Sequence, residues 1–132
     1  MSEYSNILLN FMTMINQIKL YHWQTLIHPR HVTTDKYYEK LNELIDKFIE
    51  NLTGRLIIKN NNSKFRIQLN KPIVLLNIDQ DYNFGNKILV EYITYLQSNE
   101  FNNIIKEYTE LLNIRDEMLS ILNNMVYLFT LK

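Results

Sequence analysis

The chain has 132 residues, a length that suits one domain built around a single hydrophobic core. It contains no cysteine, which excludes disulfide bonds, thiolate metal sites and thiol catalysis. Lysine and arginine together number 14, as do aspartate and glutamate, so no strong net charge favours binding to nucleic acid or to a membrane surface. We therefore expect one domain over residues 1–132.

The N-terminal residues Met1–Tyr4 lack the basic lead and the apolar core of a signal peptide. One of the longest apolar runs, Ile73–Leu76, falls far short of a membrane span. We expect no signal peptide, no membrane partner and a cytoplasmic location.

The first predicted helix extends from Ser5 to about Thr25, because its apolar residues recur at helical spacing. That row consists of Leu8, Phe11, Ile15 and Ile18, and His22 is its next position. The helix should end near Leu26, since Pro29 disfavours helical geometry at the residue before it.

The second predicted helix begins at Pro29 or at a cap formed by Thr33 or Thr34, and it continues to about Leu52. Gly54 is a plausible stop. The apolar row of this helix comprises Leu41, Ile45, Phe48 and Leu52.

Residues 55–85 interrupt the helical pattern. Residues 56–59 and 64–69 read as two short strands around an Asn-rich turn, and the apolar stretch after Pro72 indicates a segment that is packed down. The pattern thus leaves two alternatives, a short β-hairpin or a chain without strands.

Helical patterns resume over residues 86–97 and from about Asn99 to Leu131, after a break near Ser98. The three connections are therefore short, long and short. Two helical hairpins joined by one long crossover are typical of a ferritin-like four-helix bundle. The predicted fold class is all-α with this architecture, and any β-hairpin would lie in the crossover.

All three histidines, His22, His28 and His31, lie at the junction of the first two helices, and Asp35, Asp46 and Glu50 follow on the second helix. At about 100° per residue, His31, Asp35, Asp46 and Glu50 fall within an arc of roughly 100°. Imidazole and carboxylate groups together suit ferrous iron, manganese or zinc.

Asp35 and Asp46 lie roughly 16 Å apart along the helix, so one ion cannot contact both. Either the two halves of the polar stripe are unrelated, or a second copy supplies the missing half. If the second helix packs antiparallel on its symmetry mate near Lys40, His31 and Asp35 of one chain face Asp46 and Glu50 of the other. His22, on the preceding helix, could join the His31 end of this site.

Three segments carry a resemblance to a known family: Tyr21-His22-Trp23-Gln24, His31-x-x-x-Asp35 and Asp46-x-x-x-Glu50. Their residues and spacing resemble the mini-ferritins, the DNA-binding proteins from starved cells. The resemblance implies a site at a dimer interface that oxidises Fe(II) with peroxide or oxygen, in a homodimer or a larger homo-oligomer. Its ligands would be His22, His31 and Asp35 from one subunit, with Asp46 and Glu50 from its mate.

The same segments are similar to an uncharacterised ferritin-like group encoded by large DNA viruses. This resemblance would place the protein in the host cytoplasm or the virion. The sequence departs from the mini-ferritins at Gln24, where that family has Asn, and it lacks their lysine-rich tail. We therefore do not expect nucleic acid as a partner.

Two functions are thus expected as alternatives, an iron-oxidising protein or a non-enzymatic structural module with vestigial ligands. His28 is expected at the surface or in a loop, and Trp23 as a packing aromatic.

Overall fold

The computed structural model describes residues 2–131, and the regular elements in that range are all α-helices. They are α1 (Ser2–Gln24), α2 (His28–Asn60), α3 (Asp81–Leu96), α4 (Asn99–Ile105) and α5 (Thr109–Leu128). The predicted all-α class is confirmed for this part of the chain. Over the same residues, no helix is both long enough and apolar enough to cross a membrane.

The helices pack in a closed circuit in which α2 lies against α1 and α5, and α3 lies against α5 and α1. The start of α2 meets the end of α5, where Arg30 donates to the Phe129 carbonyl. Farther along α2, Arg55 pairs with Glu110 near the start of α5. These two contacts show that α2 and α5 are antiparallel.

The core lies between these helices and is rich in aromatic rings. Phe11 of α1 meets Phe48 of α2 edge-on with centroids 4.9 Å apart, and Phe48 stacks on Phe101 of α4 at 5.7 Å. Burial of these rings is the main force that holds the helices together.

Helix α2 is longer than the sequence predicts. The predicted stop at Gly54 and the predicted strand over residues 56–59 are both wrong, because α2 continues to Asn60. Leu56 is fully buried and extends the apolar row of Phe48 and Leu52 by one more turn, so core packing outweighs the local β propensity. The helix ends at Asn61, which adopts the left-handed conformation (φ 48°, ψ 47°) that Asn tolerates.

The crossover, residues 61–80, contains no strand, so the β-hairpin alternative is wrong. Residues 56–59, the first of its two strands, belong to α2. The segment is packed down instead, with Phe65, Ile67 and Ile78 against the core. The Gln17 side chain of α1 exchanges two hydrogen bonds of 2.8 Å with the main chain of Leu76.

Gln24, at the end of α1, also holds the crossover, at the two residues after Leu76. Its amide donates to Asn77 Oδ1 (2.8 Å) and accepts from the Ile78 N–H (3.1 Å). The residue that departs from the mini-ferritin pattern therefore fastens the crossover to the end of α1.

The last predicted helix is divided. Residues 106–108 separate α4 from α5, and Tyr108 is extended (φ −109°, ψ 92°). The break changes the phase of the helix, so that Leu111 is fully buried, whereas Leu112 is only partly buried.

Candidate metal centre

His22 and His31 are brought together by the three-residue link between α1 and α2. Their rings stack nearly parallel, with centroids 4.1 Å apart and planes inclined by 13°. His22 is buried at the end of α1, and His31 is exposed in the first turn of α2. The predicted proximity of the two imidazoles is therefore present within one chain.

Each histidine bonds to the main chain of the other. His22 Nδ1 lies 3.0 Å from the His31 carbonyl oxygen, and His31 Nδ1 lies 2.9 Å from the His22 carbonyl oxygen. A carbonyl oxygen can only accept a hydrogen bond, so both Nδ1 atoms carry the proton. In the neutral rings both Nε2 atoms keep a free lone pair, which is the arrangement found in metal-binding histidines.

Asp35 is one turn farther along α2, and its Oδ1 atom lies 3.9 Å from His22 Nε2. Two ligands of one ion lie roughly 3–4 Å apart when each bond is near 2.1 Å. The Asp35 side chain is 76% exposed and free to adjust its rotamer. His22 and Asp35 thus fit one divalent ion.

Burial lowers the pKa of His22, and the neighbouring His31 lowers it further, while the His31 carbonyl and Asp35 act in the opposite direction. Together these effects hold the pKa of His22 below its ordinary value of 6.5. His22 is consequently neutral at pH 7, as a metal ligand must be.

Asp46 and Glu50 are exposed on the outer face of α2 and are not brought to the histidines within this chain. No group of three histidine, aspartate or glutamate side chains suited to a metal ion occurs among residues 2–131. His28 is exposed, as expected, and its ring centroid is 6.4 Å from that of His31. One chain therefore brings three of the five predicted ligands together, and the roles of all five residues as ligands stay predictions.

Exposed apolar side chains lie close to the histidines along the chain. Trp23 is 68% exposed, Leu26 is 94% exposed and Val32 is 51% exposed. Within this chain Trp23 is not the packing aromatic that the sequence predicts, and the ammonium group of Lys19 lies 5.3 Å from its ring centroid. These residues adjoin, along the chain, the half-site formed by His22, His31 and Asp35.

Behind the histidines, a buried arginine joins three helices. Arg30 is fully buried; its guanidinium group donates to Tyr21 Oη (3.0 Å) and to the carbonyls of Tyr82 (2.8 Å) and Phe129 (3.2 Å). The rings of Tyr82 and Phe129 also lie within 4.6 Å of its Cζ atom. A buried cation is tolerated only with such partners, so Arg30 fixes the start of α2 against α3 and α5.

Asp81 completes this buried network at the start of α3. Its carboxylate accepts hydrogen bonds from Tyr21 Oη (2.8 Å), Thr25 Oγ1 (2.9 Å) and the Leu26 N–H (2.7 Å). Partial burial alone would raise the pKa of Asp81, but these bonds and the charge of Arg30 outweigh it and hold the pKa below its usual value. Asp81 thereby fixes the α1–α2 link that brings His22 to His31.

The sequence analysis missed Arg30, Asp81 and the buried Thr34, whose Oγ1 atom lies 2.8 Å from His22 Nδ1. Nothing in the periodicity marks Arg30 or Asp81 as buried, since both are charged. The sole sign of Thr34 was its consideration as a helix cap, a role that the structure does not give it, because it lies inside α2.

Comparison with known proteins bears on the same region. Searches of curated proteins and of solved structures found no match. A family model described as a family of unknown function (DUF5856) matches residues 22–129, a range that includes all five candidate ligands. The chain belongs to this family, DUF5856.

Proposed function

We propose that this protein is a mini-ferritin-like iron oxidase whose site is shared between two copies of the chain. The observation that carries the proposal is the His22–His31 pair. Both rings are fixed by main-chain carbonyls with Nε2 free, and Asp35 lies 3.9 Å from one of these nitrogens. Ferrous iron is the substrate, since Fe(II) accepts this mixture of imidazole and carboxylate ligands.

The stacking of the rings supports a site for two ions. A lone pair on Nε2 lies in the plane of its own ring, and two planes 13° apart with centroids 4.1 Å apart do not converge on one ion. Each ring would therefore bind its own ion, and two neighbouring ions are the arrangement of two-metal sites.

The remaining carboxylates would come from a second copy. If α2 packs antiparallel on its symmetry mate near Lys40, Asp46 and Glu50 of the second copy approach His31 and Asp35 of the first. All four side chains are exposed on α2, so no rearrangement of the core is required. Asp35 and Asp46 would then face each other, and a cation between them would remove their repulsion.

Three exposed apolar residues close to the half-site in sequence, Trp23, Leu26 and Val32, support this dimer. Covering a leucine as exposed as Leu26 contributes about 1.5–3 kcal/mol. Trp23 and Val32 add apolar area beside it. A second copy seated here would also exclude water from the ions.

The packing circuit supports the same assignment. Four long helices, α1, α2, α3 and α5, contact one another in a ring, and the long crossover extends along α1. One long crossover between two helical hairpins is the connectivity of ferritin-like bundles.

In the proposed reaction, each of two ferrous ions loses one electron to hydrogen peroxide. The O–O bond of the peroxide breaks, and two protons from solvent complete two water molecules. His22 and His31 hold the ions as neutral ligands, while Asp35, Asp46 and Glu50 offset the higher charge of the ferric product.

The assay is the oxidation of Fe(II) by peroxide with wild type, Glu50→Ala and a matched control, Glu117→Ala, at an exposed position of α5. Wild type should exceed buffer, Glu50→Ala should be slower by about tenfold or more, and the control should equal wild type. A wild-type rate equal to that of buffer would end the proposal.

A mixing experiment tests whether the site is shared. His31→Ala and Glu50→Ala homodimers have no intact site, but their heterodimer has one complete site. After random exchange of subunits, about a quarter of the wild-type rate should return. If a mixture of verified heterodimers stays inactive, the ligands are not contributed by two chains.

The exposed apolar surface also favours a second function, a structural or interaction module that dimerises without iron chemistry. This alternative predicts dimers in sedimentation whose dissociation constant is unaffected by His31→Ala, together with no oxidation above buffer.

A further inference from the structure

We propose that Thr34 is a positioning residue that holds the His22 imidazole in the Nδ1–H form and so leaves Nε2 free to bind an ion. The tautomer is a property of the metal-free chain, whereas the consequence for ion binding rests on the proposed function.

Thr34 lies in the second turn of α2 and is 1% exposed. Its Oγ1 atom is 2.8 Å from the Arg30 carbonyl oxygen and 2.8 Å from His22 Nδ1. The hydroxyl has one proton to donate, and a carbonyl oxygen can only accept a hydrogen bond. Thr34 therefore donates to Arg30 and accepts from His22.

The opposite arrangement is unfavourable at both ends. If Thr34 donated to His22 Nδ1, the Arg30 carbonyl would lose its side-chain partner. The Nδ1 lone pair would then also face the His31 carbonyl oxygen, 3.0 Å away, with no proton between them. The hydrogen bond between His22 and the His31 carbonyl would be lost, and one such bond contributes about 0.5–1.5 kcal/mol. The Nδ1–H form is consequently the one that this packing selects.

The buried network around Arg30 is linked to Thr34 through the Arg30 carbonyl. Arg30 supplies the carbonyl that occupies the Thr34 proton, and its guanidinium group is anchored to Tyr82 and Phe129. These contacts with Tyr82 and Phe129 fix the start of α2, the helix that carries Thr34.

Thr33 offers a matched control. It is also buried, and its Oγ1 atom makes the same kind of bond, 2.8 Å to the Pro29 carbonyl oxygen, four residues back. Because no histidine accompanies that bond, Thr33→Val removes the helical contact alone. Thr34→Val removes the helical contact and one of the two acceptors for His22 Nδ1, leaving the His31 carbonyl, and Thr34→Ser restores both contacts of the hydroxyl.

The first measurement is the tautomer of His22 in the metal-free protein, from two-bond ¹⁵N–¹H correlation spectra. Wild type, Thr33→Val and Thr34→Ser should show a protonated Nδ1 and a bare Nε2. Thr34→Val should move the population toward the Nε2–H form by about tenfold, the worth of one hydrogen bond. An unchanged spectrum in Thr34→Val, or an Nε2–H form in wild type, would overturn the proposal.

The second measurement is the affinity for Co(II), a stand-in for Fe(II) that oxygen does not oxidise. Thr34→Val should bind about tenfold more weakly, and Thr33→Val and Thr34→Ser should bind like wild type. Equal losses in both valine variants would show a merely structural role and refute the positioning role. If wild type binds no Co(II) while the tautomer result holds, the failure lies with the proposed function and not with Thr34.

Discussion

Gly85 in α3 lies against the buried Tyr21–Arg30 pair, and its replacement by alanine is the sharpest test of this packing. A Cβ atom at Gly85 would lie 2.6 Å from Tyr21 Cζ and 2.7 Å from Arg30 Nη1, and it would also clash with Tyr21 Oη. Real Cβ atoms do not approach other atoms so closely, so the tyrosine and the arginine must shift.

The expected cost follows from three contributions. Overpacking a filled core costs about 1–3 kcal/mol. Weakening the Arg30–Tyr21 hydrogen bond, in a buried charged network, costs about 1–3 kcal/mol more. Alanine regains about 1 kcal/mol through its higher helix propensity. We therefore expect Gly85→Ala to lower the free energy of unfolding by about 3 kcal/mol.

Gly54→Ala is the control. Gly54 is also inside a helix, but a Cβ there meets no atom within 4 Å among the described residues. This variant should be stabilised by about 0.5–1 kcal/mol through the same propensity effect. Urea unfolding, followed by circular dichroism with comparison of m-values, measures both changes.

The opposite signs of the two changes are the test. If Gly85→Ala is as stable as wild type, or if both glycine variants gain stability alike, the close approach of α3 to Tyr21 and Arg30 is not present in solution. The proposed role of Arg30 and Tyr21 in fixing the start of α2 behind the histidines would then be wrong.

Three further outcomes are expected. The folded-state pKa of Asp81 lies below its usual value, so the ionised carboxylate stabilises the fold fully above about pH 4, and this stabilisation is lost as the pH falls through the lower pKa. Asp81→Asn should therefore be less stable at pH 7 by about 1–3 kcal/mol. Its stability in urea titrations should also depend less on pH in the acid range. Gln17→Ala should remove both hydrogen bonds to Leu76, and amide exchange should then accelerate at Leu76 but not in the core of α2. Asn61→Gly should match or exceed wild-type stability, whereas Asn61→Val should cost about 1–2 kcal/mol in thermal unfolding, because a β-branched residue resists a φ of 48°; equal stability of the two would contradict the left-handed end of α2.

The sequence was most informative where a single helix decides the outcome. The row through Leu41, Ile45 and Phe48 identified the buried face of α2, and all three residues lie in the core. The nine-residue interval between His22 and His31 includes a short link, so the two side chains had to return to the same end of the hairpin. Local spacing is sufficient for both inferences.

The errors arose where a neighbouring element decides the outcome. Gly54 has the residue type of a helix stop, yet the burial of Leu56 carries α2 past it. Ser98 was correctly identified as a break, and it caps α4 by accepting the Phe101 N–H. The second break before α5 has no glycine or proline, and the sequence therefore contains no sign of it.

The amino-acid sequence by itself determined that this protein is helical, where most of the buried residues of α1 and α2 lie, and which imidazoles and carboxylates share one stretch of chain, because helical periodicity and short links are local properties. Leu8 is an exception, since it is only partly buried and Ile7 lies in the core instead. Only the tertiary structure decided that α2 reaches Asn60, that the crossover is tied to α1 by Gln17, and that Arg30, Asp81 and Thr34 fix the geometry of His22. Those outcomes depend on the balance between buried polar groups and partners distant in sequence, such as Asp81 and Phe129, and no spacing within one helix encodes that balance.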